Sequence, residues 1–319
     1  MTAPYVATCP EDLIALAPTV LRFDPEDSVV VMTFGRPGRS FHARVSLPRD
    51  PRDQDEVATT IVTAMKSNHL RECAVLLYSD DRRAAEAQAR KLNRRLRAAH
   101  IRVVDVLLVT GARYFRVLRG DEIGHPFDLS SHPFTARRVL DGVVVHKSRA
   151  DLAATLGPDP AADEERASGL ESAREWAERT VDSAAEGQWI RAVLRDSLAA
   201  GSVAPPDLPR LLADLRVPDL SDVAWAEISR PNADGHVELW RNALQRAPED
   251  YIVAPACLLA FAAWLAGDGA LAWCALDRCA ATEHPMARML EELLGAAVPP
   301  ALWPSLTAEE LSALRGPAA

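Results

Sequence analysis

The sequence predicts an α/β N-terminal domain, a mixed sheet in β-β-α-β-α-β-β order, joined to an all-α C-terminal domain of helical hairpins, partly tetratricopeptide-like. Three observations predict it. Up to about residue 157, β-branched apolar runs alternate with amphipathic stretches of helical period, the pattern of a sheet carrying helices. From residue 164 onward only helical periodicity remains, broken by Gly and Pro. Charge and aromatic content change at the same place. Residues 1–157 carry 23 Lys+Arg and 19 Asp+Glu, residues 158–319 carry 13 and 26, and all seven tryptophans lie in the second part. The domains are therefore set at 1–157 and 164–319, with the Pro-, Gly- and acid-rich stretch 157–169 as linker.

The first element is a short helix in "CPEDLIALAPTVLRF", with Leu13, Leu16 and Ala17 on one face and Pro18 as an interruption. "DSVVVMTF" is a buried strand, "RPGR" a turn, and "SFHARVSL" a half-buried strand in which Phe41, Ala43, Val45 and Leu47 alternate with polar residues. "DQDEVATTIVTAMKSNHL" is a helix with Asp residues at its start, where the dipole favours them, and Val57, Ile61, Ala64 and Met65 as its stripe. "CAVLLYSDD" is a central strand. The next helix, "RRAAEAQARKLNRRLRAAHI", buries Ala85, Ala89, Leu92, Leu96 and Ala99. "RVVDVLLV", "TGAR" and "YFRVL" form a second hairpin, in which Asp105 marks an edge or an exposed strand face. Two short helices follow around an extended "GVVVH". The later helices are expected at 164–184, 187–200, 207–215, 219–229, 236–247, 250–266, 269–282, 285–296 and 307–314, with breaks that include Gly187.

Composition narrows the function. A net charge of −9 argues against nucleic acid as a default partner of the whole chain. The Arg excess over Lys reads as codon bias of a GC-rich source. Five cysteines without a Cys-x-x-Cys, three of them among Ala, Leu and Trp, read as small apolar core residues in a reducing compartment. No signal-peptide pattern and no apolar run of about 18 residues appear, so a cytoplasmic protein with no membrane association is expected. There is no Walker loop, no Gly-x-Gly-x-x-Gly and no His/Cys spacing for a metal. Neither cofactor nor metal is expected, and no catalytic constellation is found.

Candidate binding residues remain, each with a plainer alternative. Asp80 and Asp81 follow a strand where α/β sheets bind ligands; an Asp at a strand end is equally an ordinary helix cap. Ser28 lacks a Gly-x-Ser-x-Gly elbow and reads as a turn or cap. Arg82, Arg83, Arg90, Lys91, Arg94, Arg95, Arg97 and Arg102 make the helix 82–102 basic. It is an anion- or nucleic-acid-binding face, or else a solvated face without aromatics to stack bases. The stretch 258–285 resembles one tetratricopeptide unit, with Ala270, Ala275, Leu276 and Pro285 in loose agreement, and "HVELWRNALQRAPED" half of another. A stable array needs at least three repeats, and no third is found. The alternative is an all-α bundle with Trp264 and Trp273 in its core.

Three segments, "LRFDPEDSVVV", "HPFTARRVLDGVVVHKSRADLAATLGPD" and "LLAFAAWLAGDGALAWCALDRCAATEHPMARMLEELL", resemble the actinobacterial proteins grouped as domain of unknown function 4192. The last segment and the Ser148-Arg149 neighbourhood are the most specific. Many members carry cysteines after the second hairpin; "LRGDEIGHPFDLSS" has none here. The resemblance implies the layout and brings no activity. The leading expectation is a regulatory or scaffolding protein, not an enzyme, that binds a protein partner through its helical half, with Trp240 and Trp264 as its surfaces. The alternatives are a small-molecule-binding protein or enzyme with a site at the strand ends near Asp80, Asp81, Thr110, Ser148 and Arg149, and anion or nucleic-acid binding by the basic helix.

Overall fold

The computed structural model describes residues 5–34, 41–180, 182–279 and 284–315. The Pro37-Gly38 turn lies outside the described residues. Internal contacts divide the chain into two units, 1–152 with 295–301 and 153–294 with 302–319. Among the described residues there are six strands and fourteen α-helices, a mixed α/β chain with large helical content.

In the first unit α1 (Pro10–Leu21) precedes β1 (Ser28–Phe34), β2 (His42–Ser46), α2 (Pro51–Ser67), β3 (Glu72–Tyr78), α3 (Arg82–Ala98), β4 (Arg102–Thr110), β5 (Arg113–Arg116), β6 (His125–Pro126), α4 (Pro133–Leu140) and α5 (Arg149–Ala154). The sheet order is β2-β1-β3-β4-β5-β6. Among the described residues only the β3–β4 strand pair is parallel; β1 runs antiparallel to both its neighbours. A parallel pair needs a crossover, and α3 supplies it. On one face Val29, Val31, Val75, Leu77 and Leu108 pack with Ala58, Ile61 and Met65 of α2 and Ala89, Leu92 and Leu96 of α3. Tyr114, across from Val109 and so on the opposite face, donates to Glu11 of α1 at 2.9 Å.

Several local expectations are corrected. Pro18 does not interrupt α1, which runs through it; a proline removes one helical hydrogen bond, and this helix is held by burial of Leu13, Ile14, Leu16 and Leu21. Asp105 lies on the part of β4 that precedes its pairing with β5, which begins at Leu107, so it stands at a local edge. It sits where the β3–β4 register shifts, Cys73 facing Val103 but Val75 facing Val106, and it pairs with Arg116 at 3.3 Å. The extra residue of a bulge re-aims a side chain, which brings this carboxylate to its cation. β6 is an additional two-residue strand. The segment 142–146 touches the sheet unit through a bridge from Phe23 to His146.

The second unit contains α6 (Asp163–Ala177), α7 (Ser183–Ala200), α8 (Leu208–Asp214), α9 (Pro218–Ala226), α10 (Ala233–Arg246), α11 (Val253–Ala266), α12 (Gly269–Asp277), α13 (Pro285–Gly295) and α14 (Ala308–Arg315). Residues 163–169, read as linker, are the first two turns of α6. Gly187 is no break: Asp182 caps α7 at Ala184, and Gly187 lies inside it. A Cβ there would meet Val223 at 3.4 Å, so the missing side chain permits close approach of α9. α11 is buried almost all round, from Ala254 to Leu265, as a central helix must be. Trp225, Phe261, Trp264 and Trp303 form one aromatic cluster, with ring centroids 5.3 Å apart for Trp225–Phe261 and 5.6 Å for Trp264–Trp303. Trp273, expected in this core, is instead 37% exposed on α12. No helix among the described residues is long and apolar enough to cross a membrane.

Candidate functional site

β3 and β4 end at the same edge of the sheet, at Tyr78 and Thr110, and β1 begins there at Ser28. The register sets Ser28 opposite Tyr78, with Ser46 of β2 on its other side and Val109 of β4 beside Tyr78. This is the carboxyl edge of the parallel pair, where open α/β sheets place ligands.

The edge is tied by a short polar network. Ser79 donates to Asp27 Oδ1 at 2.9 Å and accepts the Asp81 amide at 3.1 Å. The Thr110 hydroxyl donates to the Ser79 carbonyl at 2.8 Å, closing β3 onto β4. Asp27 has φ 42, a left-handed conformation that Asp tolerates better than most residues. Its second oxygen takes Arg49 at 2.7 Å, and Arg49 and Ser79 together hold the Asp27 carboxyl below its usual range.

Asp80 and Asp81, adjacent in sequence, have different surroundings. Asp81 caps α3, accepting the Ala84 amide at 3.0 Å. Asp80 is exposed, and among the described residues its carboxylate makes no hydrogen bond or ion pair. The Ser148 hydroxyl donates to Asp151 at 2.7 Å and accepts the Asp151 amide, a local bond at the start of α5. Arg149 comes within electrostatic reach of Arg44 on β2. The strand-end and Ser148-Arg149 regions are thus brought towards each other within the first unit. His146 makes the link, donating to the Arg22 carbonyl at 2.8 Å and accepting the Asp24 amide at 3.0 Å.

Three polar atoms here are buried without a hydrogen-bond partner: Ser28 Oγ, Tyr78 Oη and Arg44 Nε. Ser28 is fully buried as the first residue of β1, neither turn nor cap. Burial and the charge of Asp24 push the Tyr78 phenol up, so it stays a neutral donor. Arg44 donates to Ser46 Oγ at 3.1 Å and to the Glu26 carbonyl at 3.2 Å, which draws its guanidinium along β2 towards the same edge. Sequence reasoning missed Arg44, Tyr78 and Asp24. The available signals were an arginine in an alternating strand and a tyrosine closing an otherwise aliphatic one.

Trp240 is fully buried and Trp264 is 4% exposed. Both belong to the core of the second unit, so neither offers a surface. Cys257 Sγ lies 3.7 Å from Cys279 Sγ and 3.8 Å from His284 Nδ1. Hydrogen bonding to Cys279 and burial push the Cys257 thiol up, which suppresses the reactive thiolate. Among the described residues no three His, Cys, Asp or Glu side chains could share a metal ion. A cleft of about 330 Å³ opens at the other edge of the sheet, lined by Lys66, His69, Arg71 and His100. Lys66 is in the last turn of α2 and the others follow the carboxyl ends of α2 and α3, where cations complement the helix dipoles, and a ligand anion would face the same dipoles.

Fold and site together define a mixed α/β chain with a polar cluster at the carboxyl edge of one parallel strand pair. The chain belongs to the family described as Domain of unknown function (DUF4192), which it matches over residues 10–301. No curated protein and no solved structure matches it.

Proposed function

We propose that the chain is a small-molecule-binding protein whose site is the carboxyl edge of β3 and β4. The observation that carries this reading is that Ser28 Oγ, Tyr78 Oη and Arg44 Nε, on three neighbouring strands near that edge, are buried polar atoms without partners. Buried polar groups are nearly always hydrogen-bonded, and exceptions cluster where a protein has a task for them. The position agrees with the rule for open α/β sheets.

A second reading keeps the helical half as the working surface, a tetratricopeptide-like set of hairpins that binds a protein partner in a regulatory or scaffolding role. It is favoured by Trp273, a large aromatic 37% exposed on α12; such residues are common anchors of protein interfaces. The basic helix is the weakest site, because five of its cations already have acidic partners.

Native mass spectrometry of the full chain, gently isolated from its own host, separates the first two readings. The expected result is a bound small molecule that is lost in Tyr78→Phe and kept in Trp273→Ala. A stoichiometric protein companion, lost in Trp273→Ala and kept in Tyr78→Phe, would replace the first reading with the second.

A further inference from the structure

We infer that the carboxyl-edge site binds an oxyanion, the phosphate or carboxylate group of a small molecule, with Arg44 as its principal contact. The inference rests on the ligand reading above and adds the chemistry of the ligand.

Two carboxylates of this edge are committed, and Asp80 stays exposed to solvent. Asp27 is held by Arg49 and Ser79, and Asp81 caps α3. Arg44 has no such counter-charge. Its guanidinium carries five N–H donors, its two bonds go to neutral oxygens, and Nε has no acceptor. Among the described residues no carboxylate lies within ion-pair distance of it. A partly buried cation without a partner is costly, and such charges are normally paired or hydrogen-bonded. The nearby charge of Arg149 makes the imbalance greater: burial first, then Arg149, lower the Arg44 pKa against a smaller opposing effect of Asp27.

The two hydroxyls supply the rest of the site. Ser28 and Tyr78 are cross-strand partners, so their side chains stand on one face of the sheet. Arg44 is two residues from Ser46, the other neighbour of Ser28, and alternation puts it on that face too. Both hydroxyls can donate, and the tyrosine stays protonated. A guanidinium with hydroxyl donors beside it suits an acceptor with several oxygens. A cationic ligand would meet the Arg44 charge, and a neutral one would leave it uncompensated. Asp24, whose charge acts on Tyr78, and the exposed Asp80 are the acids that oppose an anion here; Arg138 bears on Asp24 in turn.

The test is calorimetric titration of the full chain with inorganic phosphate, with succinate and with uncharged glucose. The variants are Arg44→Gln, Tyr78→Phe and Arg97→Gln, the last on the exposed face of α3. We expect saturable binding of phosphate or succinate but not of glucose. Whichever anion binds names the group. Arg44→Gln should weaken it at least about tenfold, as loss of one charge-assisted hydrogen bond does. Tyr78→Phe, which removes one oxygen and keeps the ring, should weaken it about threefold or more, and Arg97→Gln should leave it unchanged. Tyr78→Phe decides the matter if Arg44→Gln does not fold. Binding of neither anion, binding indifferent to both Arg44→Gln and Tyr78→Phe, or loss in Arg97→Gln alone overturns the inference. If the molecule retained in native mass spectrometry is neutral or cationic and is lost in Tyr78→Phe, the ligand reading stands and the anion falls. If no small molecule is retained and no anion binds, both fall.

Discussion

Asp214, the last residue of α8, shows how far one buried side chain can depart from its ordinary chemistry. It is 3% exposed and accepts the Trp176 indole N–H at 2.9 Å. Its neighbour Glu186 takes Arg210 in two bonds of 2.6 and 2.9 Å, and the Arg210 guanidinium lies over the rings of Trp189 and Trp176 at 3.7 and 4.5 Å. One cation therefore serves two carboxylates. Arg210 holds Glu186 below its usual range, while burial and then the hydrogen bond to Glu186 push Asp214 up to about 7. The folded chain keeps a proton that the unfolded chain has released above the usual carboxylate range, so the native state binds more protons across that window. Stability then falls as pH rises from about 4 to about 7. The lowered Glu186 acts in the opposite sense, and only below its ordinary range. Asp214→Asn keeps the shape and the acceptor but cannot ionise. In urea unfolding at pH 5 and pH 8, the variant should lose this part of the pH dependence and be the more stable protein at pH 8. A wild type no less stable at pH 8 than the Asp214→Asn variant would mean that the carboxylate is accommodated as an anion.

At the scale of elements, Gly267-Asp268-Gly269 closes one helix and opens the next. Gly267 ends α11 at φ 86, a conformation that costs residues with a Cβ, and open space surrounds the missing side chain. Asp268 caps α12, accepting the Leu271 amide at 3.0 Å. Gly267→Ala should cost about 1 kcal/mol through backbone strain alone, and Asp268→Ala about 1 kcal/mol through the lost cap. Chemical unfolding of each variant measures both, and a neutral Gly267→Ala would show that the turn relaxes freely. This turn was legible in the sequence because its chemistry is local. So were the alternating strands and the helical stripes, whose periods follow from side-chain geometry. Pro18 and Gly187 were misread because each breaks a helix by propensity while burial of its neighbours overrides propensity. The partner of Asp105 was not legible, because Arg116 becomes a neighbour only after β4 pairs with β5. The site was half legible for the same reason. Asp80 and Asp81 mark the strand end in one dimension, but Ser28, Arg44 and Tyr78 meet only once β1 lies between β2 and β3. Trp264 is in the core, as the bundle reading had it, whereas Trp240 and Trp273 were misplaced because composition reports that a helix carries an indole, not which neighbour covers it.

For the whole molecule, the decisive quantity is how its charges are spent. The chain carries −9 overall, and its most basic helix, α3, is only partly neutralised. Arg82 and Arg90 share Glu86 at 2.7 and 2.6 Å, while Lys91 and Arg95 share Asp55 of α2 at 2.9 and 3.2 Å. Arg102 approaches Glu72 at 3.5 Å. Arg83, Arg94 and Arg97 are left exposed without an acidic partner among the described residues. These surface pairs contribute little to stability, but they reduce the charge offered to a polyanion. Each phosphate neutralised on duplex DNA contributes a slope of about −0.9 in log affinity against log salt, so three free arginines support a slope no steeper than about −3. A net negative chain repels the same polymer at long range. Fluorescence anisotropy with a labelled duplex should therefore show no binding at about 0.15 M salt, where charges farther apart than about 8 Å are screened. A saturable complex with a slope of about −6 or steeper would mean that the acidic partners yield their arginines to phosphate. The basic helix would then replace the strand-end cluster as the anion site of this chain.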